Sequence, residues 1–306
     1  MTRFYKRAAL VLGLFAMGCL VPDNAQAQVF RFTKQELIDF TPKNPFDRFP
    51  DGRPKVPDKL IERARGVSSE EVWAVLHETE YTNQWADGFQ ITHSDKKLVG
   101  RVVTAQFMPV RPDIHEVAME KAKQNGLAGL HNQTVIDMLQ PGDVLVVDLF
   151  GKKVNGTMVG DNLFYYIYKT TKGAGLIVDG AVRDLDGISE IDMPAYFRAT
   201  DPTPIGNVML SAINVPIRIG DVTVVPGDLA IGDKEGVYFV PPDLVTKVLD
   251  HADEIHIHDE WTKKKFDEGK YKSSEIYGSP KDPALKAEYA EYLKRRLAEI
   301  KKQNEQ

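Results

Sequence analysis

One short segment combines a carboxylate with a predicted helix start, an arrangement that could bind an anionic substrate. Gly160-Asp161-Asn162-Leu163 opens a predicted helix over residues 161–171. The first backbone N–H groups of a helix have no acceptor within it, so such a terminus is a ready site for a carboxylate or phosphate. The alternative is that Asp161 only caps its own helix.

A second segment, Asp179-Gly180-Ala181-Val182-Arg183-Asp184, follows a predicted buried strand over residues 176–178. In open α/β sheets, ligands bind at the carboxyl ends of the strands. At such a position the Arg183 guanidinium can clamp a carboxylate, and Asp184 offers the hard oxygen ligand that Mg²⁺ or Mn²⁺ prefers. A surface ion pair at a turn is the alternative interpretation of Arg183 and Asp184.

A third segment, His256-Ile257-His258-Asp259-Glu260, has the residue types of a metal site but not the spacing. Residues two apart on a helix do not share a face, so His256 and His258 are predicted to lie on a solvated helix face. Glu260 stays a candidate. The full sequence contains no P-loop, no strand-borne GxGxxG and no GxSxG, so the candidate chemistry rests on carboxylates, arginine and histidine.

The elements that would position these residues alternate between strands and helices. The predicted strands cover residues 98–107, 144–148, 176–178, 215–219, 222–225, 229–231 and 237–240. The predicted helices cover residues 68–79, 131–139, 161–171, 242–269 and 283–302, the first with Ser68 and Glu71 as its capping box. Strands and helices intermixed around one apolar centre indicate an α/β layered domain.

Composition describes an ordinary folded protein. The chain has 306 residues, of which 42% are hydrophobic and 27% charged. These values exclude a disordered chain, a collagen-like fibre and a disulfide scaffold. The formal net charge of -5 argues against nucleic acid as the main partner, because nucleic-acid-binding proteins carry a basic surface.

The N-terminus has the layout of a secretory signal peptide. Basic residues at positions 3, 6 and 7 precede an uncharged run over residues 8–21, and Ala25-Gln26-Ala27 follows. We expect cleavage after Ala27 and a periplasmic or secreted protein. The run is too short for a membrane span. Cys19, the only cysteine, lies in the removed segment, which excludes thiol chemistry; lipidation at Cys19, with a membrane tether, is the alternative.

The order of several short motifs resembles the RraA-like family, which holds 4-hydroxy-4-methyl-2-oxoglutarate aldolases and regulators of ribonuclease activity. The likeness covers about residues 68 to 270. The motifs are Pro141-Gly142-Asp143, Gly160-Asp161-Asn162-Leu163, Asp179-Gly180-Ala181-Val182-Arg183-Asp184, Asn214-Val215-Pro216-Ile217, Pro226-Gly227-Asp228 and Gly236-Val237-Tyr238-Phe239-Val240-Pro241. The resemblance implies an αββα sandwich, assembled as a homotrimer or as a hexamer of two stacked trimers.

The same resemblance implies roles for individual residues. Asp184 would bind a divalent metal cation, Mg²⁺ or Mn²⁺, directly, and Arg183 would bind the keto-acid substrate. The backbone amides of Gly160, Asp161, Asn162 and Leu163 would hold the substrate carboxylate. Asp161 would also steady metal-bound waters, and Glu260 would reach the metal of a neighbouring subunit through water.

A metal-dependent aldolase that cleaves a 4-hydroxy-2-oxo acid to pyruvate is the implied function, with oxaloacetate decarboxylation as a side activity. A non-catalytic regulator of a ribonuclease and a secreted keto-acid-binding protein are the alternatives. Predicted export weighs against the regulator, because a secreted protein cannot reach a cytoplasmic ribonuclease. The expected organisation is a signal peptide over 1–27, an extended arm over 28–66 that wraps the domain or a neighbouring subunit, an α/β domain over 67–270 and a peripheral helical tail over 271–306.

Overall fold

A computed structural model describes residues 30–124 and 129–304. Its strands are β1 (Phe30–Arg31), β2 (Trp85–Ala86), β3 (Gln90–Thr92), β4 (Leu98–Pro109), β5 (Asp143–Thr157), β6 (Leu176–Val182), β7 (Ala195–Thr200), β8 (Val208–Ile213), β9 (Ile217–Ile219), β10 (Val222–Val224), β11 (Leu229–Gly232) and β12 (Val237–Val240). Its helices are α1 (Lys34–Asp39), α2 (Asp58–Ala64), α3 (Ser69–Leu76), α4 (Pro112–Gln124), α5 (Asn132–Ile136), α6 (Asp161–Thr171), α7 (Leu185–Glu190), α8 (Val245–Asp267), α9 (Ser273–Ile276) and α10 (Pro283–Asn304), with a 3₁₀ turn over Pro242–Leu244.

Parallel strands form the part of the sheet that carries the candidate site. β4, β5, β6 and β7 are neighbours in that order and run parallel. Helix α6 connects β5 to β6, and α7 connects β6 to β7, which is the crossover that parallel pairing requires. The helices therefore start at the carboxyl ends of the strands, where ligands of α/β sheets bind.

Three apolar clusters separate four layers, which confirms the predicted αββα sandwich. The first lies between the parallel strands and helices such as α6 and α7, with Val147, Phe164 and Ile188 among its members. The second joins β11 and β12 to α2, α3 and α8. The third fills the space between the two halves of the sheet and includes Ile177 and Phe239. Strand β4 pairs with β11 through its first residues and with β5 further on, so it links the two halves.

Several local predictions are confirmed, and strands β4, β5 and β6 are longer than predicted. Helix α6 has the predicted bounds, and Ser68 and Glu71 form the predicted capping box of α3. Strand β6, predicted to end at residue 178, continues to Val182. Its last residues pair with β5 and β7, and Gly180 lets β6 approach Leu149, since a β-carbon there would be 2.7 Å from the Leu149 side chain. Asp179 thus lies inside the strand. Of the six motif residues from 179 to 184, only Arg183 and Asp184 come after the strand ends.

The N-terminal arm contains more regular structure than the sequence predicts. Helices α1 and α2 form within it, α1 because Thr33 and Glu36 make a capping box. The arm packs on its own domain: Arg53 forms a buried ion pair with Asp143 at 2.8 Å, and Val56 lies in the cluster that contains α8. The number of prolines in the arm favours an extended chain. It contains no information about these long-range contacts, which stabilise the helices.

The C-terminal tail forms a helical hairpin with α8. Trp261 of α8, Ile276 and Leu285 make a small apolar cluster, and Lys265 pairs with Glu288 of α10 at 2.7 Å. The predicted signal peptide and Cys19 lie outside the described residues. Across residues 30–124 and 129–304, no helix combines the length and the apolar character that a membrane crossing requires.

Candidate active site

Two neighbouring segments meet at the carboxyl edge of the parallel strands. Gly160 is the N-cap of α6, and Asp184 is the N-cap of α7. A backbone hydrogen bond of 3.0 Å from the Arg183 N–H to the Val159 carbonyl ties the segments together. The structure therefore brings together residues that are more than twenty positions apart in the sequence.

The closest approach in this site is between Asp184 and the backbone of Gly160. A β-carbon built on Gly160 would overlap Asp184 Oδ2 and would lie 3.1 Å from Arg183 Cζ. Arg183 also pairs with Asp184, at 2.9 Å from its terminal nitrogen to Oδ2. Both side chains are more than one third exposed. The carboxylate and the guanidinium are thus held against each other at the start of α6 and remain accessible to a ligand.

Asp184 has a backbone conformation that is uncommon for a residue with a side chain. Its φ of 58° and ψ of 46° place it in the left-handed region. Such conformations cost of order 1 kcal/mol and cluster at functional sites. The Asp184 carbonyl accepts a hydrogen bond of 2.9 Å from Ile188, which fixes the turn into α7. The short helix α7, which follows directly, therefore stabilises Asp184 in this strained conformation.

Backbone N–H donors lie open at the N-terminus of α6. Its N-cap, Gly160, has no side chain to occupy the first N–H groups. The Asn162 N–H donates to Asp161 Oδ1 at 2.7 Å, and the Phe164 N–H donates to the Gly160 carbonyl at 3.0 Å. Among the described residues, the N–H of Leu163 has no acceptor. The helix dipole adds a partial positive charge at this end.

Asp161 lies over the first turn of α7. A β-carbon on Gly187 would be 2.8 Å from Asp161 Cβ and 3.0 Å from its Oδ2. Asp161 thus faces the same turn that Asp184 begins. Gly187 is the residue of this site that sequence reasoning missed. The signal was a glycine three residues after Asp184, which leaves the room that Asp161 occupies.

A buried ion pair supports the strand beneath the site. Asp179 of β6 accepts a hydrogen bond of 2.7 Å from Arg198 Nε on β7. The Arg198 guanidinium stacks on Phe89 with 3.9 Å from its carbon to the ring centroid. Asp179 shares its register with Asp148 on β5. Asp179, the first residue of the motif, thus holds neighbouring elements together and does not face the helix start.

The donor set around Asp184 fits a hard divalent cation that keeps much of its water shell. No three His, Cys, Asp or Glu side chains gather into a metal-binding group in the part of the chain that the structure describes. Mg²⁺ is commonly held by one or two carboxylates plus water and substrate oxygens. Asp184 and Asp161 supply that number, since Asp184 begins α7 and Asp161 lies over the first turn of the same helix.

Glu260 is not brought to this site within one chain. It lies on α8, where it accepts hydrogen bonds from the Tyr292 hydroxyl at 2.6 Å and from Arg296 of α10 at 3.1 Å. The Tyr292 hydroxyl, followed by Arg296, holds the pKa of Glu260 below its ordinary value. Its role across a subunit interface stays a prediction.

The histidines of α8 make contacts within the chain. His256 Nε2 lies 2.5 Å from the buried Glu71 carboxylate, and His258 Nε2 lies 2.7 Å from the Gly278 carbonyl. The prediction of a solvated helix face is therefore wrong for His258, whose ring also packs edge-on against Tyr289. It failed for His258 because the tail, which is distant in sequence, covers this residue; His256 is exposed as predicted.

Comparison with known proteins places this geometry in a family. The sequence model described as aldolase/RraA, RraA-like, matches residues 64–239. The chain belongs to the RraA-like family. The matched range runs from the end of α2 into β12 and therefore contains the whole of the candidate site except Glu260.

Two curated relatives carry an aldolase name. A protein of Halalkalibacterium halodurans, named "Putative 4-hydroxy-4-methyl-2-oxoglutarate aldolase", is 34% identical over 120 residues, which is 39% of this chain and 56% of the relative. A protein of Ectopseudomonas mendocina with the same name is 32% identical over 111 residues, 36% of this chain and 66% of the relative. The chain thus spans less than two thirds of either relative.

A solved structure of the family carries a different description. RraAS2 of Streptomyces coelicolor, described as an unusual member of the RNase ES inhibitor RraA protein family, is 29% identical with a TM-score of 0.59. The match covers 69% of this chain and all of RraAS2. The relatives of this RraA-like chain therefore include proteins named for catalysis and one named for inhibition.

Proposed function

We propose that this RraA-like protein is a divalent-metal-dependent carbon–carbon lyase that cleaves a 4-hydroxy-2-oxo acid, such as 4-hydroxy-4-methyl-2-oxoglutarate, to pyruvate. The observation that carries the proposal is the contact of Asp184 with Gly160 and Arg183 at the start of α6. A carboxylate for a cation, a guanidinium for an anion and a helix N-terminus converge there. The aldolase names of the two curated relatives support the same reaction.

Two groups bind the anionic parts of the substrate. Open N–H groups in the segment from Gly160 to Leu163, that of Leu163 among them, hold a carboxylate, since the helix dipole favours an anion. The Asn162 N–H contributes by holding Asp161 in place. The Arg183 guanidinium binds the keto-acid end and offsets the negative charge that develops there during cleavage. Arg183 lies beside Asp184, and its side chain is more than one third exposed. A change of side-chain rotamer is therefore enough to bring the guanidinium to the substrate.

Asp161 handles the proton of the cleavage step. Its Oδ1 is held by the Asn162 N–H, which leaves Oδ2 to orient a water molecule beside the substrate. That water takes the proton of the substrate hydroxyl at carbon 4 as the carbon–carbon bond breaks. The hydroxyl carbon becomes a carbonyl, and the bonding electrons remain on the pyruvate fragment as its enolate. The enolate takes up the proton that the water and Asp161 received from the hydroxyl, and leaves as pyruvate.

Asp184 would hold Mg²⁺ or Mn²⁺ directly. Asp161 of the same chain and Glu260 of a neighbouring subunit would act through water. When bound, such a cation acts as a Lewis acid for the keto oxygen and stabilises enolate charge. The same enolate forms when oxaloacetate loses carbon dioxide, so decarboxylation of oxaloacetate belongs to the proposal as a side activity.

Pyruvate release tests the reaction. The purified protein is incubated with 4-hydroxy-4-methyl-2-oxoglutarate or oxaloacetate in Mg²⁺ or Mn²⁺, and pyruvate is measured by a coupled assay. We expect release that depends on the metal and stops in excess chelator. Release that is unchanged by chelator argues against the metal, and no release from either substrate argues against the lyase.

A second candidate function is a non-catalytic regulator that binds a ribonuclease. The description of RraAS2, which is 29% identical, favours it. A third candidate is a protein that binds keto acids at the same site without cleaving them. A protein that releases no pyruvate but binds pyruvate in the presence of Mg²⁺ would fit the binding protein, and one that instead inhibits a ribonuclease would fit the regulator.

Assembly and location complete the proposal. We propose a homotrimer or hexamer in the periplasm or outside the cell, since Glu260 can serve the site only from a neighbouring subunit. Light scattering that gives a monomer at micromolar concentration would remove the basis for Glu260. N-terminal sequencing of the native protein is expected to begin at Gln28; an intact Met1 contradicts export, and a modified Cys19 supports the lipoprotein alternative.

A further inference from the structure

Two turns of this chain have the same sequence and the same internal hydrogen bond. Pro141-Gly142-Asp143 precedes β5, and Pro226-Gly227-Asp228 precedes β11. In the first turn, Asp143 Oδ2 accepts from the Gln140 N–H at 3.0 Å. In the second, Asp228 Oδ2 accepts from the Val225 N–H at 2.9 Å. Both carboxylates are buried, with no exposure for Asp143 and 4% for Asp228.

The two turns differ in how the buried carboxylate is balanced. Asp143 receives two hydrogen bonds from the Arg53 guanidinium, at 2.8 and 3.1 Å. Among the described residues, Asp228 has no Lys, Arg or His nitrogen within 4.0 Å and accepts no further hydrogen bond. Its charged neighbour is another acid, Asp243. Burial, with a smaller contribution from Asp243, raises the pKa of Asp228 to about 7.

Asp228 lines a cavity that is separate from the candidate active site. The cavity has a volume of about 320 Å³ and lies between the N-terminal arm, the segment before β2 and the 3₁₀ turn after β12. Phe40, Tyr81 and Pro242 give it apolar walls, and Asp243 adds a second carboxylate. The volume lies at the lower end of the range for small-molecule sites.

Most of the polar wall is already hydrogen-bonded. The Thr41 hydroxyl donates to the Leu37 carbonyl at 2.5 Å, and Gln84 Nε2 donates to the Phe239 carbonyl at 2.9 Å. Lys43 is exposed at the wall, and no carboxylate lies within 4.0 Å of its ammonium among the described residues. The carboxylates of Asp228 and Asp243 remain as acceptors in the cavity wall, and Asp228 is the buried one of the two.

We propose that this cavity is a binding site for a small organic cation, a primary ammonium or guanidinium on an apolar body, with Asp228 as its hydrogen-bond acceptor. The ligand takes the place that Arg53 has in the first turn. A charged donor forms a stronger hydrogen bond with a carboxylate than a neutral one does. The aromatic rings of Phe40 and Tyr81 in the cavity wall suit a cation on an apolar body, and Asp243 contributes a second negative charge.

Calorimetric titration with benzylammonium and with benzyl alcohol tests the proposal on the full-length protein. The two probes share the aromatic body and differ in charge. We expect one benzylammonium per chain and binding of benzyl alcohol that is weaker by about tenfold or more. Asp228→Asn keeps the shape and the bond to Val225, so it should reduce benzylammonium affinity by about tenfold and leave benzyl alcohol unchanged.

Three further variants keep the test decisive if Asp228→Asn does not fold. Asp243→Asn and Phe40→Ala should each weaken benzylammonium by a few-fold, since one removes charge and the other an aromatic wall. Asp192→Asn, an exposed acid outside the cavity, should bind like the natural protein. Equal affinity for both probes, or full affinity in Asp243→Asn and Phe40→Ala, would overturn the cation site. Absence of binding up to about 20 mM would overturn it as well.

Discussion

Asp184 occupies the space that a side chain at position 160 would need. A β-carbon on Gly160 would overlap its Oδ2, and Arg183 Cζ lies 3.1 Å from the position of that β-carbon. Gly160 itself has an extended backbone with φ of -106° and ψ of -171°, which any residue can adopt. Glycine is therefore required at this position by the approach of Asp184 and not by backbone conformation.

Gly160→Ala should impair the site and spare the fold. The new methyl group would displace the Asp184 carboxylate, and a shift of about 1 Å in a catalytic group costs on the order of a hundredfold in rate. We expect a loss of that order in kcat/KM for pyruvate release, with a melting temperature close to that of the natural protein. Gly66→Ala is the matched control, because the nearest atom to a β-carbon there is 3.7 Å away. A fully active Gly160→Ala would show that the contact has no role in turnover.

Arg183→Lys should lower turnover by about a hundredfold. An ammonium keeps the charge but cannot make the two parallel bonds that a guanidinium makes to a carboxylate. Metal affinity should change little, because Asp184 remains. Steady-state kinetics and a metal titration of the same preparation separate the two effects. Wild-type kcat/KM in Arg183→Lys would exclude a bidentate role for Arg183.

Arg53→Met should destabilise the protein by about 3–5 kcal/mol, because it leaves the Asp143 carboxylate buried without a partner. Adding Asp143→Asn should restore more than half of the loss, since no buried charge then remains. Urea unfolding gives both values. The control is Arg65→Met, whose pair with Glu62 is exposed and should contribute less than about 1 kcal/mol. Equal losses in Arg53→Met and Arg65→Met would contradict the importance of the buried pair.

The stability of the protein should depend on the ionisation of Asp228. Its pKa rises from the ordinary 3.8 to about 7 in the folded protein, so the folded state favours the protonated form. This contribution to stability is complete below about pH 4 and is lost as the pH rises to about 7. The Asp228→Asn variant has no group that titrates at this position. As the pH rises through that window, its unfolding free energy should therefore increase relative to that of the natural protein, by at most about 4 kcal/mol. Urea unfolding at several pH values measures the difference, and two parallel curves would contradict a raised pKa.

Local sequence signals predicted the elements that carry the site. The Gly-Asp step at 160–161 and the capping box of Ser68 and Glu71 each depend on residues within one turn of a helix, and both are found as predicted. Arg183 and Asp184 were expected at the end of a strand and lie there, although β6 is longer than predicted. Hydrogen bonding within one turn is visible in a sequence because its partners are close in the chain.

Contacts between distant segments were not predictable in the same way. Three such contacts join elements that meet only after the sheet has formed. They are the close approach of Asp184 to Gly160, the packing of Asp161 on Gly187 and the pairing of Arg53 with Asp143. The tail likewise covers His258 and binds Glu260 from more than thirty residues away. Composition and spacing carry no record of such approaches, so the helices of the arm and the covering of His258 were not predicted.

The most direct test of the proposed mechanism is the response of metal-dependent pyruvate release to Asp184→Asn. Asparagine keeps the size of the side chain and tolerates the left-handed backbone of residue 184, but it removes the charge that a hard cation requires. Asp186→Asn is the matched control, since Asp186 is an exposed acid two residues further on. Mg²⁺ and Mn²⁺ titrations are followed by pyruvate release from 4-hydroxy-4-methyl-2-oxoglutarate, with a chelator blank. Our account predicts activity and metal response close to wild type in Asp186→Asn and loss of metal-dependent activity in Asp184→Asn. Metal-dependent release at the wild-type rate in Asp184→Asn would contradict it.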